Sequence, residues 1–235
     1  GPPEMGFRPR PWPTVITVVG IAILVSLGTW QLHRKVWKEA LLATIAARTE
    51  AAPVALPAEI ADPAAWGFRR VTVAGRFDND HALWLYGRTQ DGRAGVHLLV
   101  PMLRDSGATV LVDRGFVPFA EGNNLASFAK VDGPTEIQGV VRTPESGGWF
   151  TPTNRPADNI WYTVDPAAMS ARTGTPLMPV YVAVMATGAP GWPKATGGTE
   201  ASGIRNQHLN YAIFWYSMAA ALAVIYVLSS RSPRA

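Results

Sequence analysis

The sequence predicts a membrane protein of the α+β class, with two transmembrane helices that bracket a β-rich extramembrane domain, built as an antiparallel sheet or a partial barrel. Two stretches without formal charge, residues 11–32 and 209–228, each match the about 20 apolar residues that cross a bilayer. Between them, short runs with alternating apolar and polar residues are separated by Gly, Pro, Asn and Asp, a pattern typical of strands and turns.

The first transmembrane helix is predicted over residues 14–33, after a tail at residues 1–13. A cleaved secretory signal is the alternative interpretation. Its apolar core would span only about 7–15 residues, and residues 28–31 (GTWQ) form a poor cleavage site, so an uncleaved helix is favoured. Apolar residues at helical spacing predict that the helix continues over residues 34–49.

The β-rich domain is predicted over residues 34–205. Period-two alternation and turn residues predict strands at residues 69–77, 82–88, 95–103, 109–113, 135–142, 159–164 and 180–185,. A short helix is expected after Asp165, because Asp caps helices and Pro166 suits the first helical position. The glycine-rich residues 188–203 predict a tether into the second span.

The second transmembrane helix is predicted over residues 206–229, before a tail at residues 230–235. Two crossings put both tails on one side of the membrane, and both tails carry arginines: Arg8, Arg10, Arg231 and Arg234. The positive-inside rule therefore favours cytoplasmic tails, although residues 34–38 add three basic side chains beyond the first helix,. The expected location is the inner membrane of a bacterium, with the domain on the outer side.

Composition excludes several function classes. The net charge is only +4 and no dense basic run occurs, so nucleic acid is not an expected partner. The chain has no Cys and only four His, which excludes thiolate chemistry and Cys-ligated metal centres. Paired-His zinc motifs, phosphate-binding loops and nucleophile elbows are absent from the sequence,. We therefore do not expect an enzyme.

A candidate binding site lies where the two spans leave the membrane. On a helix, His208, Tyr211 and Trp215 share one face, and Trp30 and Arg34 repeat such a spacing on the first helix. Imidazole is a standard axial ligand of haem iron, aromatic rings provide flat apolar walls, and arginine pairs with carboxylates such as the haem propionates. The alternative interpretation is an ordinary interfacial belt of aromatic and basic residues.

Small residues four apart predict how these helices pack. We expect Ala22 and Ser26 on the first helix to face Ala219 and Ala223 on the second.

A second candidate site is the Asp113-Arg114 pair, which follows the apolar run TVLV. One interpretation is a turn at a strand end with a local ion pair. The other is a surface that binds a partner protein.

Several strings, in order, resemble the signatures of one family, the Surfeit-locus protein 1 family. They are GTWQ at residues 28–31 with Arg34 and WK at 37–38, RRV at 69–71, GRF at 75–77, VLVDRGFVP at 110–118, residues 145–162, and NQHLNYAIFW at 206–215. Phe116 and Phe214 depart from the family pattern, where Trp and Thr are usual. The resemblance covers residues 28–216.

The resemblance implies two spanning helices around one outer domain, and a role in assembling cytochrome c oxidase by delivering or seating haem a in its catalytic subunit. His208 corresponds to the family's proposed haem ligand. Haem a is thus the expected cofactor. The expected partners are the oxidase catalytic subunit, membrane lipid and the machinery of haem a synthesis. The alternative is a scaffold or accessory subunit that binds the oxidase without haem.

Overall fold

The computed structural model describes residues 5–119, 128, 130–185, 192–197 and 207–233. Asn206 and most of the predicted tether at residues 188–203 lie outside these ranges. The helices are α1 (Pro11–Glu50), α2 (Pro63–Trp66), α3 (Pro166–Thr173) and α4 (His208–Ser229). The strands are β1 (Met5–Phe7), β2 (Val54–Ala55), β3 (Arg70–Phe77), β4 (Leu83–Gln90), β5 (Arg93–Leu103), β6 (Thr109–Pro118), β7 (Pro134–Arg142), β8 (Ile160–Trp161), β9 (Leu177–Val184) and β10 (Arg231–Pro233).

The chain divides into two compact units, a helical unit and a β unit. The helical unit holds β1, α1 as far as Thr44, α4 and β10, and the β unit begins at Ile45. In the helical unit, β1 pairs antiparallel with β10, so that Phe7 lies opposite Arg231. The two tails therefore meet at the same end of the helix pair.

Helices α1 and α4 are long and apolar enough to cross a membrane. Helix α1 has 40 residues, and it covers the predicted span and the predicted extension without a break. Helix α4 has 22 residues and starts at His208. Large apolar side chains on both helices, such as Ile23 and Ile225, are exposed, as expected for surfaces that contact lipid.

Five strands of the β unit form a closed ring. Strand β3 pairs with β7, β7 with β9, β9 with β6, β6 with β5, and β5 with β3 again. The closing pairs are Arg76 with Leu103 and Phe77 with Met102. Gly75 permits this approach, because a Cβ atom there would lie 2.3 Å from the carbonyl oxygen of Leu103.

The sheet is mixed, which corrects the antiparallel sheet, one of the two forms that the sequence predicted. The ring of five strands agrees with the other form, a partial barrel. Strands β2 and β3, β4 and β8, and β6 and β9 pair in parallel. A parallel pair needs a long connection between its strands. The chain between β6 and β9, which includes β7, β8 and α3, provides that connection. The predicted strand positions are confirmed within a few residues, except that 159–164 holds only the two residues of β8 and that β6 continues to Pro118.

The strands bury apolar side chains on both faces. Inside the ring, one cluster includes Val73, Leu98, Val100, Val112 and Val182. On the outer face, Leu83, Leu85, Leu99, Leu111 and Trp161 pack against Met169 of α3. Alternation along a strand explains the division, since successive side chains point to opposite faces. Helix α3 is capped as predicted, because the Asp165 side chain accepts a hydrogen bond from the backbone N–H of Ala168.

Candidate functional site

The first residue of α4 carries the candidate imidazole. His208 is half-buried, and its Nδ1 lies 2.8 Å from Oε1 of Gln31 on α1. An amide oxygen only accepts hydrogen bonds, so Nδ1 is the donor and Nε2 keeps its lone pair. Within the part of the chain that the structure describes, Nε2 has no hydrogen-bond partner. In the neutral ring, this contact favours the tautomer that a metal ligand requires, in which the second ring nitrogen donates to a neighbouring acceptor.

Two further hydrogen bonds join α1 to α4. The hydroxyl groups of Thr29 and Tyr216 are 2.9 Å apart, and those of Thr14 and Tyr226 are also bonded. Gly28 makes room for one tyrosine, since a Cβ atom there would lie 2.8 Å from the Tyr216 ring. The helices therefore pack side by side, and Gln31 reaches His208 because of this packing.

The packing face of α1 differs from the predicted one. Ala22 and Ser26 are exposed, whereas Thr17 and Gly28 are buried. Two residues turn a helix by about 200°, so that Ser26 and Gly28 lie on nearly opposite sides of α1. The prediction for Ala22 and Ser26 is wrong for this reason, whereas Ala219 of α4 is buried as expected.

Tyr211 and Trp215 lie on the same side of α4 as His208, as helical spacing requires. Tyr211 is 51% exposed. Trp215 is half-buried and contacts Phe214 edge-on, with ring centroids 5.2 Å apart. One face of α4 thus presents an imidazole and two aromatic rings.

Among the residues that the structure describes, no hydrogen bond or ring contact joins Trp30 or Arg34 to His208. Trp30 follows Gly28 by two residues, lies on the far side of α1 and is 55% exposed,. The Arg34 guanidinium lies over the Trp37 ring, 4.8 Å from its centroid, which is a cation–π contact,.

The Asp113 side chain is buried inside β6 and not at a strand end. Its Oδ2 lies 2.7 Å from Nδ1 of His97, and its Oδ1 accepts a 2.9 Å hydrogen bond from the backbone N–H of Gly115. The Thr196 hydroxyl lies 3.4 Å from Oδ2. Because the carboxylate is 3% exposed, its contacts hold the rim of the ring together and do not offer a docking surface.

Arg114 is the extra residue where the β5–β6 register shifts, since Leu98 pairs with Gly115 and Leu99 with Asp113. Its side chain is fully buried. The guanidinium lies 4.4 Å from the ring centroid of Trp192, near Phe77, and donates to the carbonyl oxygen of Phe128. Burial lowers the pKa of Arg114 to about 10. The predicted ion pair at a strand end is therefore replaced by a cation between aromatic rings.

Sequence reasoning missed Gln31, Tyr216 and His97 as site residues. The signal for the first two was present, because an amide and a hydroxyl in otherwise apolar segments usually find polar partners. His97 gave no signal, since its partner Asp113 lies on a different strand. The described residues contain no group of three His, Asp or Glu side chains that could hold a metal ion.

Comparison with known proteins identifies the family. The SURF1 family model matches residues 18–220. A SURF1-like protein of Monosiga brevicollis is 35% identical over 221 residues, which cover 89% of this chain and 84% of the relative. Surfeit locus protein 1 of Homo sapiens is 33% identical over 219 residues (86% and 72%), and that of Rattus norvegicus is 33% identical over 222 residues (87% and 71%). The chain belongs to the SURF1 family.

Proposed function

We propose that this protein is a non-enzymatic assembly factor of cytochrome c oxidase, which delivers haem a to the catalytic subunit or helps to seat it there. The hydrogen bond from Nδ1 of His208 to Gln31 carries the proposal. It supports the expectation, based on the family resemblance, that this imidazole contacts the cargo.

The residues at the start of α4 fit a haem. Nε2 of His208 would ligate the iron, and Tyr211 and Trp215 would contact the macrocycle from the same helix face. Haem a, when held there, would be carried as cargo whose electron-transfer chemistry serves the oxidase. Trp30 and Arg34 are assigned instead to the boundary between lipid and water, because both side chains are exposed and Arg34 already stacks on Trp37,.

The location belongs to the proposal as well. The pairing of β1 with β10 supports tails on one side of the membrane, and the arginines at Arg8, Arg10 and Arg231 favour the cytoplasmic side,. We propose the inner membrane of a bacterium, with the β unit on the outer side and the machinery of haem a synthesis nearby. No role with nucleic acid is proposed.

An optical spectrum tests the proposal. The full chain, purified in detergent from a host that makes haem a, should show a haem a absorbance band. His208→Ala should abolish the band. Gln31→Ala should weaken haem affinity by about 10–100-fold, the usual effect of removing a group that orients a metal ligand. His33→Ala is the matched control, because His33 is an exposed imidazole two residues from Gln31. A colourless wild-type protein would refute haem binding, and equal loss in His33→Ala would refute His208 as the iron ligand.

The second candidate function is a scaffold that binds the oxidase without haem. The exposed aromatic face of α4 supports it, since such a face also suits contact with another membrane helix. Co-purification with the oxidase catalytic subunit distinguishes the two functions. A scaffold keeps the subunit at wild-type yield in His208→Ala, whereas a haem carrier loses assembled, haem-containing oxidase.

A further inference from the structure

The β unit contains a polar cavity that the proposed function does not use. It has a volume of about 230 Å³ and lies among the C-terminal half of β4, the end of β7, the segment after β8 and residues 145–151. Two cations line it, Arg88 and Arg142, together with the hydroxyl groups of Ser146, Thr151 and Tyr162. The cavity therefore offers many hydrogen-bond donors in a small space.

Arg88 is the key residue of this cavity. Its side chain is half-buried, and its Nε is fully buried without a hydrogen-bond partner. Among the residues that the structure describes, its guanidinium makes no hydrogen bond and no ion pair. A buried N–H donor without a partner is costly. A bound anion would offset this cost, and an oxyanion suits the planar fork of arginine.

The wall of the cavity is firmly built. The Asn154 side chain donates to the backbone oxygen and the hydroxyl group of Thr163, at 3.2 and 3.1 Å, and accepts from the backbone N–H groups of Tyr162 and Thr163, at 2.8 and 3.1 Å. The opposite loop closes through a hydrogen bond of 2.9 Å from the N–H of Thr151 to the oxygen of Gly148. The backbone on both sides of the cavity is therefore fixed before a ligand arrives, which reduces the entropic cost of binding.

Two exposed aromatic residues follow the lining glycines directly in the chain. Trp149 is 96% exposed and Phe150 is 94% exposed, and they directly follow Gly147 and Gly148, which line the cavity. Adjacent, fully exposed aromatic rings are rare on soluble surfaces and mark contact with a partner or a lipid interface. The ligand therefore carries both an oxyanion and an apolar part.

We propose that this cavity binds the phosphate group of an anionic phospholipid, with Arg88 as the main phosphate contact and with Trp149 and Phe150 against the acyl or glycerol part. Phosphate offers more acceptor oxygens than carboxylate for these donors. The chain carries two helices apolar enough to span a membrane, so phospholipid headgroups are the phosphate groups that surround it. This inference does not depend on haem or on the oxidase.

A substitution at Glu145 tests whether the ligand in the cavity is negatively charged. The exposed Glu145 carboxylate is the acidic group among the residues that line the cavity, and it repels a bound phosphate. Glu145→Gln should therefore tighten phosphate binding, by about threefold for a charge partly screened by solvent. If the cavity binds a cation instead, the same change weakens binding. That result would overturn the proposal.

Calorimetry on the full chain in maltoside micelles measures the phosphate contact. Inorganic phosphate should bind, and Arg88→Gln should weaken the affinity at least tenfold, as expected for the loss of a charge-assisted hydrogen bond. Arg172→Gln is the matched control, because Arg172 is an exposed arginine of α3 outside the cavity. No binding by the wild-type chain, or equal losses in the two variants, would overturn the proposal.

A fluorescent label tests whether the phosphate belongs to a lipid. The chain has no Cys, so that Pro152→Cys, at an exposed residue two positions after Phe150, gives a single site for an environment-sensitive dye. In phosphatidylcholine nanodiscs, added phosphatidic acid should shift the dye emission to the blue, and Arg88→Gln or excess inorganic phosphate should reverse the shift. Phosphate binding without this shift would identify free phosphate as the ligand and overturn the lipid assignment. A shift caused only by an acidic peptide would overturn it in favour of a protein partner.

Discussion

Removal of the Asp113 carboxylate should destabilise the β unit strongly. Asp113→Ala leaves two donors without their acceptor, the backbone N–H of Gly115 and Nδ1–H of His97. An unpaired buried donor costs about 1–3 kcal/mol. The His97 side chain is 15% exposed, and water therefore reaches part of it. We take about 1 kcal/mol for His97 and about 1–3 kcal/mol for the Gly115 N–H, which gives a loss of about 2–4 kcal/mol.

The amide variant separates hydrogen bonding from charge. In Asp113→Asn, Oδ1 still accepts from Gly115, and the new amide donates to His97, whose ring adopts the other tautomer. The two hydrogen bonds remain but lose the extra strength that the carboxylate charge gives them. We therefore expect the free energy of unfolding to fall by about 1 kcal/mol. Asp158→Ala is the control, because this carboxylate is 58% exposed and lies 3.6 Å from Arg155. Exposed pairs of this kind contribute at most about 1 kcal/mol.

Thermal unfolding in detergent, followed by tryptophan fluorescence, provides the measurement. A domain of this size loses about 2–4 °C in Tm per kcal/mol. Asp113→Ala should therefore lower Tm by about 4–16 °C, and Asp113→Asn by about 2–4 °C. The reasoning is refuted if Asp113→Ala behaves like Asp158→Ala, or if the alanine and asparagine variants are equally harmful.

Three further predictions concern the helix pair, the buried cation and the helix cap. Gly28→Leu should force the Tyr216 ring away. A short bifunctional thiol reagent should then cross-link Gln31→Cys to His208→Cys much less efficiently. The exposed control Ala22→Leu should leave the cross-linking yield unchanged. Arg114→Met should change stability by less than about 2 kcal/mol, because relief of the desolvation that lowers the pKa of Arg114 to about 10 offsets the lost cation–π contacts,. Arg114→Ala should cost about 3 kcal/mol or more, since it also opens a cavity, and chemical denaturation distinguishes these outcomes. Asp165→Ala should lose about 1 kcal/mol in the same assay, and an unchanged midpoint would contradict the cap to Ala168,.

Local patterns predicted most of the fold. Long uncharged stretches indicated α1 and α4, alternation indicated β3 and β5, and the Asp165-Pro166 pair indicated α3. Ring closure was not predictable in the same way, because the pairing of Phe77 with Met102 depends on contacts between distant segments. The parallel pairing of β6 with β9 depends on the chain path for the same reason.

The candidate site was predicted only in part. Helical spacing correctly placed Tyr211 and Trp215 beside His208. It did not show which side of α1 would face α4, since apolar residues surround both membrane-crossing helices and give no amphipathic signal. Gln31 and Gly28 determine that side through a hydrogen bond and a close approach, and both effects appear only when the partner helix is in place.

Closure of the strand ring limits how another protein can join it. Along the described part of the chain, the outermost strands of the sheet are β2 and β8, and each has only two residues. These two strands give an incoming peptide few free backbone groups to pair with, but β8 covers β4 only at Trp84 and Leu85,. A protein that approaches this unit can therefore pair with the part of β4 beyond Leu85, whereas elsewhere it must recognise side chains and loops. At those side chains and loops, specificity for a partner would then evolve by exchange of surface residues, without any change in the sheet.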